Sequence, residues 1–129
     1  MPVSALVVDD SAAARQIVAY HLSHAGCTIV GQAGDASDAL RLFRELKPNI
    51  VTLDLMMPVR EGIDSLTLVR MIKKEAPHTA IVVISVIPSE KVRQDFIDEG
   101  VFAYLVKPFN DYALKAIGVK LRRTFPELK

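Results

Sequence analysis

Ala5-Leu6-Val7-Val8-Asp9-Asp10 sets four apolar residues directly before two carboxylates, and the chain repeats that grammar three more times. Ile50–Leu53 runs into Asp54, Ile81–Ile84 into Ser85, and Phe102–Val106 into Lys107. Continuous Val/Ile/Leu runs of this length mark parallel strands buried on both faces, since a strand with one wet face alternates instead. Open parallel sheets take their ligands just outside the carboxyl ends of the strands. Three acids, a hydroxyl and an ammonium, far apart in sequence, are thereby directed to one crevice.

Between these runs the apolar period changes from continuous to helical. Ala14, Ile17, Val18, Leu22 and Ala25 step at helical spacing after Asp10, and Gly26 follows as a stop. Thr28–Ala33 reads as a further strand. Ala36, Ala39, Leu40 and Phe43 mark one helix face closed off by Pro48, and Leu66, Val69 and Ile72 mark another that ends before Pro77. Ser89 is a suitable N-cap for a helix with Val92 and Phe96 inward and Gly100 at its end. Asn110 likewise heads a last helix built on Leu114, Ile117 and Leu121. Strands alternating with helices predict an α/β fold, (βα)₅, as one domain over residues 1–129 with right-handed crossovers. The order 2-1-3-4-5 makes strands 1, 3, 4 and 5 contiguous and leaves the second, the one without a polar terminus, on an edge.

The bulk numbers agree. The 129 residues are 50% hydrophobic and 24% charged, a globular composition, and no apolar run is long enough to span a membrane. A formal net charge of +1 argues against direct nucleic-acid binding, which needs a concentrated basic face. Cys27 is the only cysteine, so no internal disulfide forms. With no secretory signal in Met-Pro-Val-Ser, a cytoplasmic location is expected.

Asp9, Asp10 and Asp54 at adjacent strand ends would raise one another's pKa unless a cation joins them. A hard divalent ion with oxygen ligands, most simply Mg²⁺, removes that repulsion. Lys107 adds a point charge suited to a phosphoryl oxygen and Ser85 a hydroxyl donor, a set fitted to phosphoryl transfer onto a carboxylate.

The pieces Val8-Asp9-Asp10-Ser11 with Arg15, Thr52-Leu-Asp-Leu-Met-Met-Pro58 with Gly62, Ile84-Ser85, and Tyr104-Leu-Val-Lys-Pro-Phe109 stand in order and at specific spacing. Together they resemble a response-regulator receiver domain of two-component signalling over essentially the whole chain. The resemblance implies a flavodoxin-like doubly wound sheet and Asp54 as acceptor of a phosphoryl group from a histidine kinase or phosphotransfer protein. It implies Mg²⁺ held directly by Asp10 and Asp54, by the Met56 carbonyl, and by Asp9 mainly through water. Lys107 would pair with the phosphoryl group, Ser85 would swing toward it, and Tyr104 would change rotamer behind it. A cis bond between Lys107 and Pro108 is also implied. The output face would be the fourth helix, fifth strand and fifth helix, including Lys91, Tyr104 and Lys115, and would engage a downstream protein.

Four positions depart from the common pattern of that family. Met56 and Ile87 stand where polar side chains often influence hydrolysis, Val86 where a small residue is usual, and Val101 where alanine is usual. Neither Met56 nor Ile87 can orient a water, so slow loss of the phosphoryl group is expected. The chain thus reads as a phosphoacceptor signalling domain, not an enzyme with a separate substrate. The chain ends shortly after the last helix, which favours a stand-alone chemotaxis-like regulator or relay shuttle. The alternative is the receiver part of a longer regulator with a DNA-binding or enzymatic output domain. A phosphohydrolase of the haloacid-dehalogenase type needs a D-x-D pattern on its first strand, and here Ser11 stands two past Asp9. An FMN binder would need a first loop that attracts phosphate, where Asp9-Asp10 repel it, and no P-loop motif occurs.

Simpler readings exist for single residues. Asp10 before a helix also reads as an N-cap, which can coexist with metal binding. Ser85 alone reads as a turn residue, and Tyr104 as a strand aromatic. His21, His24 and His78 form no metal-ligand grouping, and Cys27 reads as a small apolar residue.

Overall fold

The continuous apolar runs become the middle of a five-stranded sheet. A computed structural model describes residues 3–107 and 111–126, with side chains except those of 111–115. Its elements are β1 (Ser4–Val8), α1 (Ala12–His24), β2 (Thr28–Ala33), α2 (Ala36–Leu46), β3 (Ile50–Asp54), α3 (Ser65–Glu75), β4 (Ala80–Ser85), α4 (Glu90–Asp98), β5 (Ala103–Val106) and α5 (Asp111–Thr124). The strands pair in parallel in the order β2-β1-β3-β4-β5. Val8, Leu53, Val83 and Tyr104 form one row across the sheet. That register brings the following residues, Asp9, Asp54, Ser85 and Lys107, to the same edge.

Side chains along a strand point alternately to the two faces. Leu6, Val8, Val51, Leu53, Ile81 and Val83 therefore meet Leu40, Phe43, Leu68, Val69, Ile72 and Phe96 of α2, α3 and α4 in the larger core. Ala5, Ile50, Val82, Ile84 and Ala103 face the other way, toward Val18 and Leu22 of α1 and Ile117 and Leu121 of α5. Burying a Leu or Ile side chain contributes roughly 1.5–3 kcal/mol. Every residue of β3 and β4 is buried, whereas β2 at the edge alternates. Gly31 on β2 permits a close approach. A Cβ there would lie 3.0 Å from Leu46 Cδ1 and 3.2 Å from Leu6 Cδ1.

Helix ends obey local chemistry. Ser11, Asp35, Asp64 and Ser89 cap α1 to α4 with side chains that accept backbone N–H groups. Gly26 and Gly100 follow α1 and α4 with φ of 102° and 90°, the left-handed region that glycine tolerates.

Four expectations are amended. The N-cap of α1 is Ser11, not Asp10, because the Ser11 hydroxyl reaches the Ala14 N–H at 3.2 Å. Ile17 is 57% exposed; it lies 100° around the helix from Val18, which turns toward the sheet. Asp54 and Ser85 are the last residues of their strands, since the ladder carries on to Asp54↔Ile84 and Ser85↔Val106. β5 begins at Ala103, one residue after Phe102. Asn110 and the Lys107–Pro108 bond lie outside the described residues, as do the side chains of Leu114 and Lys115. No helix among the described residues is long and apolar enough to cross a membrane.

Candidate functional site

Asp9 follows β1 and is anchored at several of its polar groups. Its N–H donates to the Ala33 carbonyl at 3.0 Å, extending the β1–β2 ladder by one step. Its Oδ1 accepts the Ser11 N–H at 2.9 Å, and its Oδ2 the Lys107 ammonium at 3.3 Å. Asp54 ends β3; its Oδ1 accepts the Met56 N–H at 2.9 Å while its Oδ2 lies 3.4 Å from Lys107 Nζ. Asp10 sits between them in sequence, exposed, with no hydrogen-bond partner for its carboxylate among the described residues. Because Ser11 caps α1, Asp10 is released from that task.

One carboxylate oxygen from each of Asp9, Asp10 and Asp54 lies within 4.8 Å of the other two. Two unit charges at that separation repel by about 3.5 kcal/mol at an effective dielectric of about 20. Asp9 and Asp54 are buried and share a single ammonium. Three carboxylates against one ammonium leave the cluster two charges negative. Burial, with the neighbouring Asp9 charge, pushes the Asp54 carboxyl above the usual carboxylate range, although the Met56 N–H and Lys107 pull back. For Lys107, burial acts downward, but Asp54 and Asp9 outweigh it and raise the ammonium's pKa.

This donor set is all oxygen, carries an excess of two negative charges, and includes one exposed carboxylate with nothing else to hold. Those are the properties a hard dication such as Mg²⁺ requires. Asp9, Asp10 and Asp54 fit it. The Met56 carbonyl accepts no hydrogen bond among the described residues and is adjacent in the chain.

Ser85 is fully buried on the neighbouring strand, but its hydroxyl accepts the Ile87 N–H at 3.1 Å rather than touching the acids. The Tyr104 hydroxyl donates to the Ile87 carbonyl at 2.9 Å. Both polar backbone groups of Ile87 are thus held by the two residues expected to switch. Lys107 is tied to the same strand end, its N–H donating to the Ser85 carbonyl at 2.6 Å. In the segments that follow Asp54 and Ser85, Met56 is 53% and Val86 52% exposed. Cys27 is buried, which pushes its thiol up and suits an inert apolar neighbour of Val3 and Ala5.

Two sets of contacts were not anticipated. Arg60 approaches Asp35 at 3.6 Å and the Ser37 hydroxyl donates to Glu61 at 2.8 Å, tying the loop after Asp54 to the start of α2. Arg15 reaches back from α1 to the Asp9 carbonyl at 2.6 Å. No spacing rule exposes the first set. A weak signal for Arg15 does exist, since a cation in the first turn of a helix opposes the helix dipole and is favoured there only when it finds an acceptor.

Comparison with known proteins follows the same lines. The family model described as response regulator receiver domain matches residues 5–117. The chain is 35% identical over 104 residues to the chemotaxis protein CheY of Thermotoga maritima, covering 81% of this chain and 84% of that one. It is 37% identical over 110 residues to the transcriptional regulatory protein PdtaR of Mycobacterium tuberculosis, covering 85% of this chain but 52% of the relative. Among solved structures, the receiver domain of AraT from Geobacillus stearothermophilus superposes with a TM-score of 0.85 at 25% identity, over 98% of both chains.

Proposed function

The chain belongs to the response-regulator receiver family, and from that premise we propose that Asp54 accepts a phosphoryl group from a phosphohistidine in a Mg²⁺-dependent reaction. One observation carries the reading: a buried carboxylate, itself pushed toward protonation, stands between an ammonium and two further carboxylates. An Asp54 oxygen attacks phosphorus, the P–N bond to the donor imidazole breaks, and its electron pair returns to the ring. The product is an acyl phosphate. Bound Mg²⁺ supplies charge neutralisation for the carboxylates and the incoming phosphoryl oxygens. Asp10, Asp54 and the Met56 carbonyl would hold that ion, with Asp9, fixed by its backbone and Ser11 contacts, reaching it mainly through water. Lys107 exchanges a carboxylate contact for a phosphoryl oxygen. The Met56 N–H keeps the Asp54 carboxylate oriented during attack.

The response follows from Ser85. When its hydroxyl turns to the phosphoryl group it gives up the Ile87 N–H, and Tyr104 holds the other polar group of that residue. Charge-assisted hydrogen bonds contribute about 1.5–3 kcal/mol each, so Ser85 and Lys107 together supply roughly 3–6. Moving a two-state equilibrium from 1:99 to 99:1 takes about 5.5 kcal/mol. The switch is adequate without surplus. Its output is binding of a downstream protein on the face of α4, β5 and α5, which includes exposed Lys91 and half-buried Tyr104. With Met56 and Ile87 unable to hydrogen-bond a water, the phosphoryl group is long-lived, in the cytoplasm, as suits a relay or a regulator with a separate phosphatase. A second reading, a receiver that governs a longer regulator, is favoured by the relative of which this chain spans 52%.

Acetyl phosphate with MgCl₂ is expected to add one phosphoryl group that hydroxylamine removes, and Asp54→Asn to abolish it. Full labelling of Asp54→Asn, or undiminished transfer in excess chelator, would refute the assignment.

A further inference from the structure

We infer that Arg15 is the positioning residue for the metal-binding carboxylates, acting through the backbone of Asp9 rather than through its own charge. The inference rests on the Mg²⁺ reading above. Asp10 offers its carboxylate to the cluster with no side-chain partner among the described residues, so its direction is set by the peptide that precedes it. β1 ends at Val8, and the Asp9 carbonyl, just beyond it, has no strand partner among the described residues. Arg15 supplies the missing donor: Nη1 meets that carbonyl at 2.6 Å, a short charge-assisted contact.

The guanidinium is itself held. Its Nε donates to Gln32 Oε1 at 3.2 Å, so one side chain from α1 links the ends of β1 and β2. Asp9 is then fixed at four points: N–H to Ala33, Oδ1 by Ser11, Oδ2 by Lys107, and carbonyl by Arg15. Only the last of these constrains the plane of the Asp9–Asp10 peptide. The planar fork is what permits two divergent bonds from one rigid group; an ammonium cannot reproduce that geometry. Arg15 makes no ion pair among the described residues, so it leaves the carboxylates uncompensated and available to a cation.

A charge role and a positioning role predict different results for Arg15→Lys, which keeps the charge and loses the fork. Mg²⁺ affinity of the full chain is measured by MgCl₂ titration, following the Asp10 and Asp54 amide resonances without any phosphodonor. Positioning predicts that Arg15→Lys weakens Mg²⁺ by about tenfold, the scale seen when groups that orient metal ligands are removed. Gln32→Leu, which only frees the guanidinium, should weaken it too, but by less than Arg15→Lys does. Arg44→Lys, which disturbs a charged contact at the opposite end of the molecule, serves as the control and should leave Mg²⁺ affinity unchanged. Arg15→Lys binding Mg²⁺ as wild type does would overturn the positioning role alone. An equal loss in Arg44→Lys would reduce it to general destabilisation. Absence of saturable Mg²⁺ binding in the wild-type protein would instead overturn the metal reading on which it stands.

Discussion

The two ends of the sheet are built on opposite principles. At the amino ends of the strands, the polar groups find local partners. Asn49 accepts the Ser4 N–H at 2.9 Å and donates back to the Ser4 carbonyl at 3.0 Å. Lys73 Nζ donates to the Pro77 and Thr79 carbonyls, and Arg44 forks onto Glu75. At the carboxyl ends, three carboxylates converge on one ammonium, while Arg15 is bonded to a carbonyl and Arg60 approaches Asp35. One end is closed by local partners; the other keeps an excess of negative charge that a dication can neutralise. Function here resides in what the folded protein leaves unneutralised.

The largest test removes the single ammonium. Lys107→Met leaves Asp9 and Asp54 buried without a counter-charge and should destabilise the protein at pH 7 by about 3 kcal/mol, as for a broken buried pair. Urea unfolding should show the loss, and 10 mM MgCl₂, at a concentration on the order of that needed to fill a weak site, should restore much of it. No loss would mean that the cluster is not strained.

Asp54→Asn tests the same strain from the other side. The folded state holds the Asp54 proton more tightly than the unfolded chain does. The stability from this group is therefore complete below the unfolded pKa and is lost as pH rises through the folded one. Without Mg²⁺, the Asn variant should be more stable than wild type at pH 7 by about 1 kcal/mol, and the advantage should vanish toward pH 3. Paired melts across that range would expose a constant or reversed difference.

Thr52, two residues before Asp54, is 3% exposed, and its hydroxyl has no hydrogen-bond partner among the described residues. It borders a small cavity of about 40 Å³ between the sheet and helices α1 and α5, lined by Val18, Ile84, Leu105 and Ile117. Thr52→Val should stabilise by about 1 kcal/mol, because an apolar isostere removes the unsatisfied group. A lower urea midpoint in that variant would show that the hydroxyl is satisfied.

The smallest effect is expected at the amino ends of the strands. Glu75→Gln breaks an exposed pair, and solvent already screens it. Its urea midpoint should remain within the error of the measurement, and Mg²⁺ binding should not move.

Much of this asymmetry could be read before any coordinates. The apolar runs ending in Asp9, Asp54, Ser85 and Lys107 predict both the parallel sheet and the edge where its chemistry gathers, because burial on two faces and polar strand ends are properties of contiguous residues. The buried faces of α2 and α3 followed from helical spacing, and Ser89 was recognisable as a cap from its own neighbours. The lack of a polar terminus on Thr28–Ala33 agreed with the order 2-1-3-4-5, in which β2 lies on an edge.

What required the tertiary structure was every decision made between distant segments. Ser11, not Asp10, caps α1: the Ser11 hydroxyl reaches the Ala14 N–H at 3.2 Å, while the Asp10 carboxylate lies beside those of Asp9 and Asp54. Ser85 bonds Ile87 rather than the acids, a choice of rotamer that no spacing encodes. Arg15 finds the Asp9 carbonyl and Gln32 only once α1 folds back beside β2, and Thr52 becomes an orphan only once α1 and α5 cover it. Local pattern determined which residues reach the site. Hydrogen-bond partners and the unequal sharing of one ammonium among three carboxylates depend on distances of a few ångströms across the sheet, which only packing decides.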